Sequence, residues 1–421
     1  MSRILFLSAW FPYPPINGAK IRIYNLIKHL SSKHEITLVS FANTIGIEEA
    51  RAQIPFLEQY CRSVEVTPAK HFNPTGVKTW GGFLSPMPRS VVQTFSPEME
   101  RLVARKAQGG AFDLVMASEV GVPAVVSLLA SRVVGVPKIL DAIELGLLQN
   151  TVSSRDPLTS RIHYALTWFK MQRFARAVIR RSSLVTVPSL EEKRNLSMVV
   201  PEYPSIEVVP HSLDMSDYKG VFGSPQPDTL VFTGSFTHPA NRDAVNFFLH
   251  QVYARIKAQV PEVNLKIVGG TDGAALSRFP IDESIVFTGL LRDVRPVIAQ
   301  SWLSVVPLRI GAGTRLKIIE SMALGTPVVS TSKGAEGLDV KHNEHLLIAD
   351  TPQAFAESVV RLLREPELRQ RLKNRASELV RQKYDWSVVI PRFSARVEQI
   401  AQESKPATTT RRVYYLNPWR R

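Results

Sequence analysis

The sequence predicts an α/β protein made of two doubly wound, Rossmann-like domains, and three observations predict it. Short apolar runs alternate with amphipathic stretches along most of the chain, an order that builds parallel sheets with helices on both faces. The alternation resets near the middle, past a stretch crowded with Gly220, Gly223, Ser224, Pro225 and Pro227. The length, 421 residues, exceeds one ordinary core and suits two domains of roughly 200 residues each.

Taken in order, Ile4-Leu5-Phe6-Leu7-Ser8 reads as the first buried parallel strand. It is too short for the apolar region of a signal peptide and lacks a small-residue cleavage site. Arg22 to Leu30 reads as a helix, Ile36 to Phe41 as a strand, and Leu114 to Ala117, Lys138 to Leu140 and Leu184 to Val187 as further strands. Arg161 to Arg181 is the longest helical stretch among them. Ile206 to Pro210 is expected to open the second domain. The strands Leu230 to Gly234, Leu265 to Gly269, Ile285 to Gly289, Leu303 to Pro307 and Pro327 to Ser330 follow it. The expected boundaries are residues 1–205, residues 206–385, a C-terminal helix over 386–403 that crosses back to the first domain, and a basic aromatic tail over 404–421. The tail opens on Lys-Pro-Ala-Thr-Thr-Thr, a disordered composition.

Composition narrows the function classes. Hydrophobic residues at 44% and charged residues at 21% are globular values. No apolar run reaches the length of about 18 residues that spans a bilayer. Cys61 is the single cysteine, which excludes an intrachain disulfide and a Cys-rich metal site. Cytoplasm is the expected compartment. The net charge of +15 favours anionic partners. Nucleic acid is disfavoured, since no helix-turn-helix, zinc finger or RNP-like aromatic pattern is present.

The segment Val305 to Thr331, VVPLRIGAGTRLKIIESMALGTPVVST, carries the most chemistry. A strand ends at Pro307, the loop Gly311-Ala312-Gly313-Thr314 opens onto a helix from about Arg315 to Leu324, and Gly325 stops it. A glycine loop at a helix N-terminus offers unpaired amides to an anion. Arg315 and Lys317 are unfavourable in a first helical turn unless an anion lies there; a plain strand-to-helix turn with solvated basic residues is the other reading. Glu320 precedes a small and apolar run, so its carboxylate needs partners. Two ribose hydroxyls or a neighbouring basic residue would serve.

These residues resemble the donor-binding segment of the retaining glycosyltransferases of the GT-B fold, the bacterial group 1, family-4-like sugar transferases. Pro14 to Arg22 looks like that family's first glycine loop. Val208-Val209-Pro210-His211-Ser212-Leu213-Asp214 looks like its interdomain signature, and Phe232 to Phe236 with Asn241 to Val245 like the start of its donor domain. Gly334-Ala335-Glu336-Gly337 is similar to the loop after its last donor-site strand.

The resemblance implies transfer of a sugar from a nucleotide-sugar donor to a sugar or lipid-linked acceptor, with retention of configuration. No cofactor is implied and no metal; no Asp-x-Asp pattern is evident. Gly18 would approach the donor phosphates, and Gly234 and Asn241 would also bind the donor. Gly313, Thr314, Arg315 and Lys317 would surround the diphosphate, Glu320 would bind the ribose, and Gly289 with Leu291 would lie against the base. Arg315 and Lys317 would carry the charge that builds on the leaving oxygen. Asp141, with Glu144, would orient a sugar or, equally, cap a helix. His163, His211 and His238 read as ordinary polar residues.

The sequence departs from the family pattern at Ala312, where a first glutamate often stands, and at His211 and Ser212, where Asn and Gly are usual. Ala312 keeps open a non-enzymatic nucleotide-sugar binding protein, beside a sugar-nucleotide epimerase of the same fold. The expected setting is polysaccharide or glycolipid synthesis, peripheral on the inner face of the cell membrane. Basic and aromatic residues of Arg161 to Arg181, and Arg411, Arg412, Tyr414, Tyr415, Trp419, Arg420 and Arg421 of the tail, suit an anionic surface.

Overall fold

The structure is a computed structural model, and it describes residues 1–43, 45–73, 82, 85–109, 112–146, 158–220, 222–271, 276, 279–280, 282–311, 313, 315–403 and 414–415. Two compact units emerge: Met1–Pro210 with Ile390–Arg421, and His211–Val389.

The first domain is built on a seven-stranded parallel sheet in the order β3-β2-β1-β4-β6-β7-β8. The strands are β1 (Ser2–Ser8), β2 (His34–Ala42), β3 (Ser63–Pro68), β4 (Leu114–Gly121), β6 (Lys138–Ile143), β7 (Leu184–Val187) and β8 (Ile206–Val208). β1 lies between β2 and β4, with Ile4 opposite both Ile36 and Leu114. A strand buried on both faces has no polar alternation to show, so its apolar run is nearly unbroken. Leu5, Leu7, Val39, Val115, Ala117 and Leu140 are core residues. The helix Gly18–Leu30 starts where Asn17 caps it, its side chain accepting the Lys20 amide at 3.0 Å.

The second domain carries a six-stranded parallel sheet in the order β11-β10-β9-β12-β13-β14. Its strands are β9 (Gln226–Thr233), β10 (Asn264–Val268), β11 (Ile285–Gly289), β12 (Ser301–Val306), β13 (Val328–Ser330) and β14 (Leu347–Ile348). Leu230, Val231 and Phe232 of the central strand are buried. The helix Pro352–Arg364 lays Phe355, Val359 and Leu362 into the core, and Thr351 caps it through the Ala354 amide.

Two expectations are corrected. Ile206–Val208 does not open the second domain: it pairs with β7 as the last strand of the first sheet, and the division falls at Pro210. Hydrogen bonding to a neighbouring strand, not the local composition, decides which sheet a short run joins. The tail holds structure at Tyr414–Tyr415, which forms β15 antiparallel to β5 (Val133–Val134). Tyr415 is buried and donates to Glu100 at 3.2 Å, so it packs into the first domain rather than facing a lipid surface. Arg411, Arg412, Trp419, Arg420 and Arg421 lie outside the described residues. The C-terminal helix runs Trp386–Glu403 and counts with the first domain from Ile390, next to its internal Pro391.

Candidate functional site

In the second sheet the strand order reverses at β9: β10 and β11 follow it on one side, and β12 returns to its other side. Ligands of open α/β sheets bind outside the carboxyl ends of strands at such a switch point. The loop after β9 begins at Gly234, and the loop after β12 holds Gly311 and Gly313. Several of the predicted residues meet there.

Gly234 has φ +159 and its amide donates to Val268 O at 2.8 Å. A Cβ at that position would lie 2.7 Å from the Asn241 side chain, so only glycine lets the two approach. Asn241 donates to Ser235 O and accepts from Lys317 Nζ, both at 2.9 Å. The Lys317 ammonium also stands 4.5 Å over the Phe232 ring. Gly311 has φ +97, and a side chain there would press on Ala240 and the Arg315 guanidinium. Arg315 is buried at the N-cap of the Leu316–Ala323 helix, and Gly313 has φ +88. Thr314 and Ala312 lie outside the described residues.

The electrostatics are one-sided. Burial, with Arg315 close by, lowers the Lys317 pKa to about 7, against the pull of Glu320. Burial also lowers that of His238, and Arg315, Lys317 and Arg242 add to the effect. His238, read from the sequence as an ordinary polar residue, stands close enough to these cations for their charge to favour its neutral form. Burial first and the Arg315 charge second disfavour the Lys317 ammonium, and a bound anion would supply the counter-charge that restores it.

Glu320 is half-buried about one turn into the helix and accepts from the Tyr218 hydroxyl at 2.9 Å. Burial raises its pKa, opposed by Tyr218, Lys317 and Arg295. Tyr218 ends the short 3-10 helix Met215–Tyr218, which Asp214 caps through the Ser216 amide. Arg295 stands 5.9 Å from the Tyr218 ring and 5.4 Å from Phe222, and pairs with Asp293 at 2.9 Å. Neither Tyr218 nor Arg295 was legible beforehand, because each lies far from Glu320 in sequence. The one signal was Asp214, which sets the short helix in place. Gly289 ends β11 with φ +70 and open space around its α-carbon, next to exposed Leu290 and half-buried Leu291.

Gly18 and Asp141 belong to the first domain. Gly18 is the first residue of its helix. Asp141 has a different post from the one expected. It is fully buried, and Arg22 donates to it bidentately at 3.0 and 2.6 Å. Ser118 and Thr186 donate to the same carboxylate at 2.8 and 2.7 Å. Arg22 also donates to Val209 O at 2.8 Å and Pro210 O at 3.2 Å. Burial works against the charge of Asp141, but Arg22, Thr186 and Ser118 hold its pKa below the usual range. With its oxygens taken by these four hydrogen bonds, Asp141 ties the Gly18–Leu30 helix, through Arg22, to the chain that leaves β8. Glu144 is also buried. Two residues at the carboxyl ends of these strands, Val120 and Ala142, have φ of 49° and 55°. Positive φ is strained for both, and such strain gathers at functional edges. Among the described residues no group of three His, Cys, Asp or Glu side chains could hold a metal ion, and no helix is long and apolar enough to cross a membrane.

Comparison with known proteins locates this geometry. Residues 227–365 match the family described as Glycosyl transferases group 1. The chain is 31% identical over 179 residues to a phosphatidyl-myo-inositol mannosyltransferase of Mycobacterium leprae, across 41% of this chain and 47% of that protein. It is 24% identical over 173 residues to a 44.6 kDa protein in the cps region of Klebsiella pneumoniae, across 37% and 42%. The matches span less than half the length of these curated relatives. Anabaena HepE, solved with UDP and glucose, superposes with a TM-score of 0.63 at 15% identity over 95% of this chain and all of that one. A sucrose-phosphate synthase from Thermosynechococcus elongatus gives 0.65 at 16% identity over 96% and 100%. The protein thus has the GT-B glycosyltransferase fold, two Rossmann-like domains with parallel sheets of seven and six strands, and its second domain is similar to the group 1 glycosyl transferases.

Proposed function

We propose that this protein is a glycosyltransferase that moves a sugar from a nucleoside diphosphate sugar to an acceptor hydroxyl with retention of configuration. The observation that carries the reading is the convergence of Gly234, Asn241, Arg315 and Lys317 at the switch point of the second sheet, with Glu320 on the same helix as Lys317. Breaking the bond from the anomeric carbon to the diphosphate builds negative charge on the leaving oxygen. Preorganised donors at that oxygen lower the barrier, and losing one in comparable sites slows reaction by roughly 100- to 1000-fold. Arg315 and Lys317 fill that role in this proposal, and Glu320 accepts from ribose hydroxyls on the oxygen that Tyr218 leaves open. The leaving phosphate takes the acceptor proton, which gives the retaining course its base.

The reaction proceeds without a metal in this reading, because basic side chains do the neutralising. Similarity to HepE, solved with UDP, and to the mannosyltransferase supports a nucleotide-sugar donor. The cps-region and phosphatidyl-myo-inositol relatives support a role in polysaccharide or glycolipid synthesis. The test is a thermal-shift panel of UDP, GDP, ADP and CMP compounds, followed by transfer from the radiolabelled sugar of the best nucleotide in EDTA. No shift with any nucleotide defeats the site, and activity restored only by Mg²⁺ or Mn²⁺ defeats the metal-free reading.

The site of work is the inner membrane surface, reached peripherally. One observation favours it: the helix Leu158–Ile179 exposes Ile162, Leu166 and Phe169 at 60%, 40% and 55%. Their spacing puts them on one face, with Arg161 and Arg173 exposed as well and the Arg173 guanidinium over the Phe169 ring. Apolar side chains fringed by arginine suit an anionic headgroup layer. Flotation with neutral and anionic vesicles checks it; equal recovery on both, or no loss in Phe169→Ser, counts against it.

A further inference from the structure

We propose that the head of the Gly18–Leu30 helix binds the phosphate of an acceptor that carries an apolar chain, with Lys20 as the counter-ion. The word acceptor rests on the glycosyl-transfer reading. Lys20 sits in the first turn of that helix and is 1% exposed, yet its ammonium makes no hydrogen bond. A buried ammonium without a partner is expensive and needs either an anion or the loss of its proton. Burial does push its pKa down. Among the described residues, Glu49 is the carboxylate whose charge acts on Lys20, and it makes no hydrogen bond to the ammonium.

The first turn of that helix contains no acidic residue. The helix dipole is positive at this end, and a lysine here adds to the like charge instead of offsetting it. Arg22, one half-turn on, is already neutralised by Asp141. Asn17 already takes the Lys20 amide, so an anion at the helix head would meet the Gly18 and Ala19 amides, which have no partner inside the helix, together with the Lys20 ammonium. The place is the carboxyl end of β1, beside the switch between β2 and β4 in the first sheet, where a ligand is expected on topological grounds.

The surroundings choose the kind of phosphate. Tyr13, from the loop that leads into the helix, stacks on Phe56 with ring centroids 4.6 Å apart. Phe56 is 47% exposed and Ile16, in the same loop, 56%. A nucleoside diphosphate has Arg315 and Lys317 in the second domain and gains little from exposed aliphatic and aromatic surface. A phosphate on an apolar chain gains from both the cation and the apolar rim.

The probes are octyl phosphate below its micelle concentration, glucose 1-phosphate and inorganic phosphate, titrated into the full chain by calorimetry. Octyl phosphate is expected to bind at least tenfold more tightly than either water-soluble probe. Lys20→Met is expected to weaken octyl phosphate by tenfold or more and to leave nucleoside diphosphate affinity within twofold. Without ligand, that variant should melt at or above the wild type, since an unpaired ammonium is gone. Equal affinity of Lys20→Met for octyl phosphate overturns the proposal. So does equal binding of octyl and inorganic phosphate. A loss confined to the nucleoside diphosphate would assign Lys20 to the donor and overturn it as well. If no nucleotide binds the wild type while octyl phosphate does, the glycosyl-transfer reading fails and the phosphate site stands. A selenate soak of wild-type crystals adds a readout independent of any variant: the anomalous signal of selenium, one bond beyond the oxygen that accepts from the ammonium, is expected about 4 Å from Lys20 Nζ, and its absence there overturns the proposal.

Discussion

Donor binding should take up a proton, and Lys317 should be its main source of demand. The Lys317 pKa of about 7 means that the free protein carries roughly half an ammonium there at pH 7. A bound diphosphate replaces the missing counter-charge and returns the group toward its ordinary value of about 10.4. Uptake on binding should then be about 0.5 proton at pH 7, falling to about 0.1 at pH 6, where the lysine is already charged, and rising to about 0.9 at pH 8. The sign follows from the shift: a depressed base binds protons only when its anion arrives. His238, also depressed, adds a smaller share of the same sign near its own pKa. The assay is calorimetric titration of the matching nucleoside diphosphate sugar, whose doubly esterified diphosphate has no group that titrates near neutral pH, in buffers of different ionisation enthalpy, Pipes and Tris, at each pH. Lys317→Met should remove most of the uptake and retain the part from His238. Uptake that is absent, reversed, or unchanged in Lys317→Met would refute the argument that this lysine waits for a phosphate.

Other predictions follow from the same geometry. Glu320→Gln should weaken nucleoside binding by about 1.5–3 kcal/mol, as for a lost charge-assisted hydrogen bond, while the melting temperature stays close to wild type; titration calorimetry with unchanged affinity would remove Glu320 from the ribose. Tyr218→Phe should weaken the same ligand by several-fold, because the Tyr218 hydroxyl steadies that carboxylate, and no change on titration would leave the contact without a role. Asp141→Asn should destabilise the first domain by about 3–5 kcal/mol, since it strands Arg22 as a buried charge; urea unfolding that shifts by less than 1 kcal/mol, about the median worth of a surface pair, would speak against the network. Burial, with the charge of Glu144, raises the Glu192 pKa from 4.5 to about 7, although the amides of Leu145 and Gly146 donate to it. A raised acid stabilises the fold fully below its unfolded pKa and loses that contribution as pH rises through 7. Relative to Glu192→Gln, the wild type should therefore lose roughly 3 kcal/mol between pH 4.5 and 7.5, read by urea unfolding across that range.

The sequence by itself determined the strand-helix alternation, the two-domain division and most of the second-domain cluster. These features are local: an apolar run marks a buried strand, and a glycine loop before Leu316–Ala323 marks a helix entry. The placement of Gly234 was legible because it follows a strand end, and that of Asn241 and Lys317 because each lies in the first turn of the helix entered after such a strand. The tertiary structure alone decided that Ile206–Val208 joins the first sheet, since a three-residue strand is defined by its neighbour β7 and not by its composition. It alone closed Asp141 against Arg22, 119 positions away, and brought Tyr218 to Glu320 across 102 positions. It alone showed Lys20 buried without a partner, where the sequence offered only a basic residue early in a helix. Burial and pairing are properties of what surrounds a side chain, and for these residues the surroundings come from distant parts of the chain.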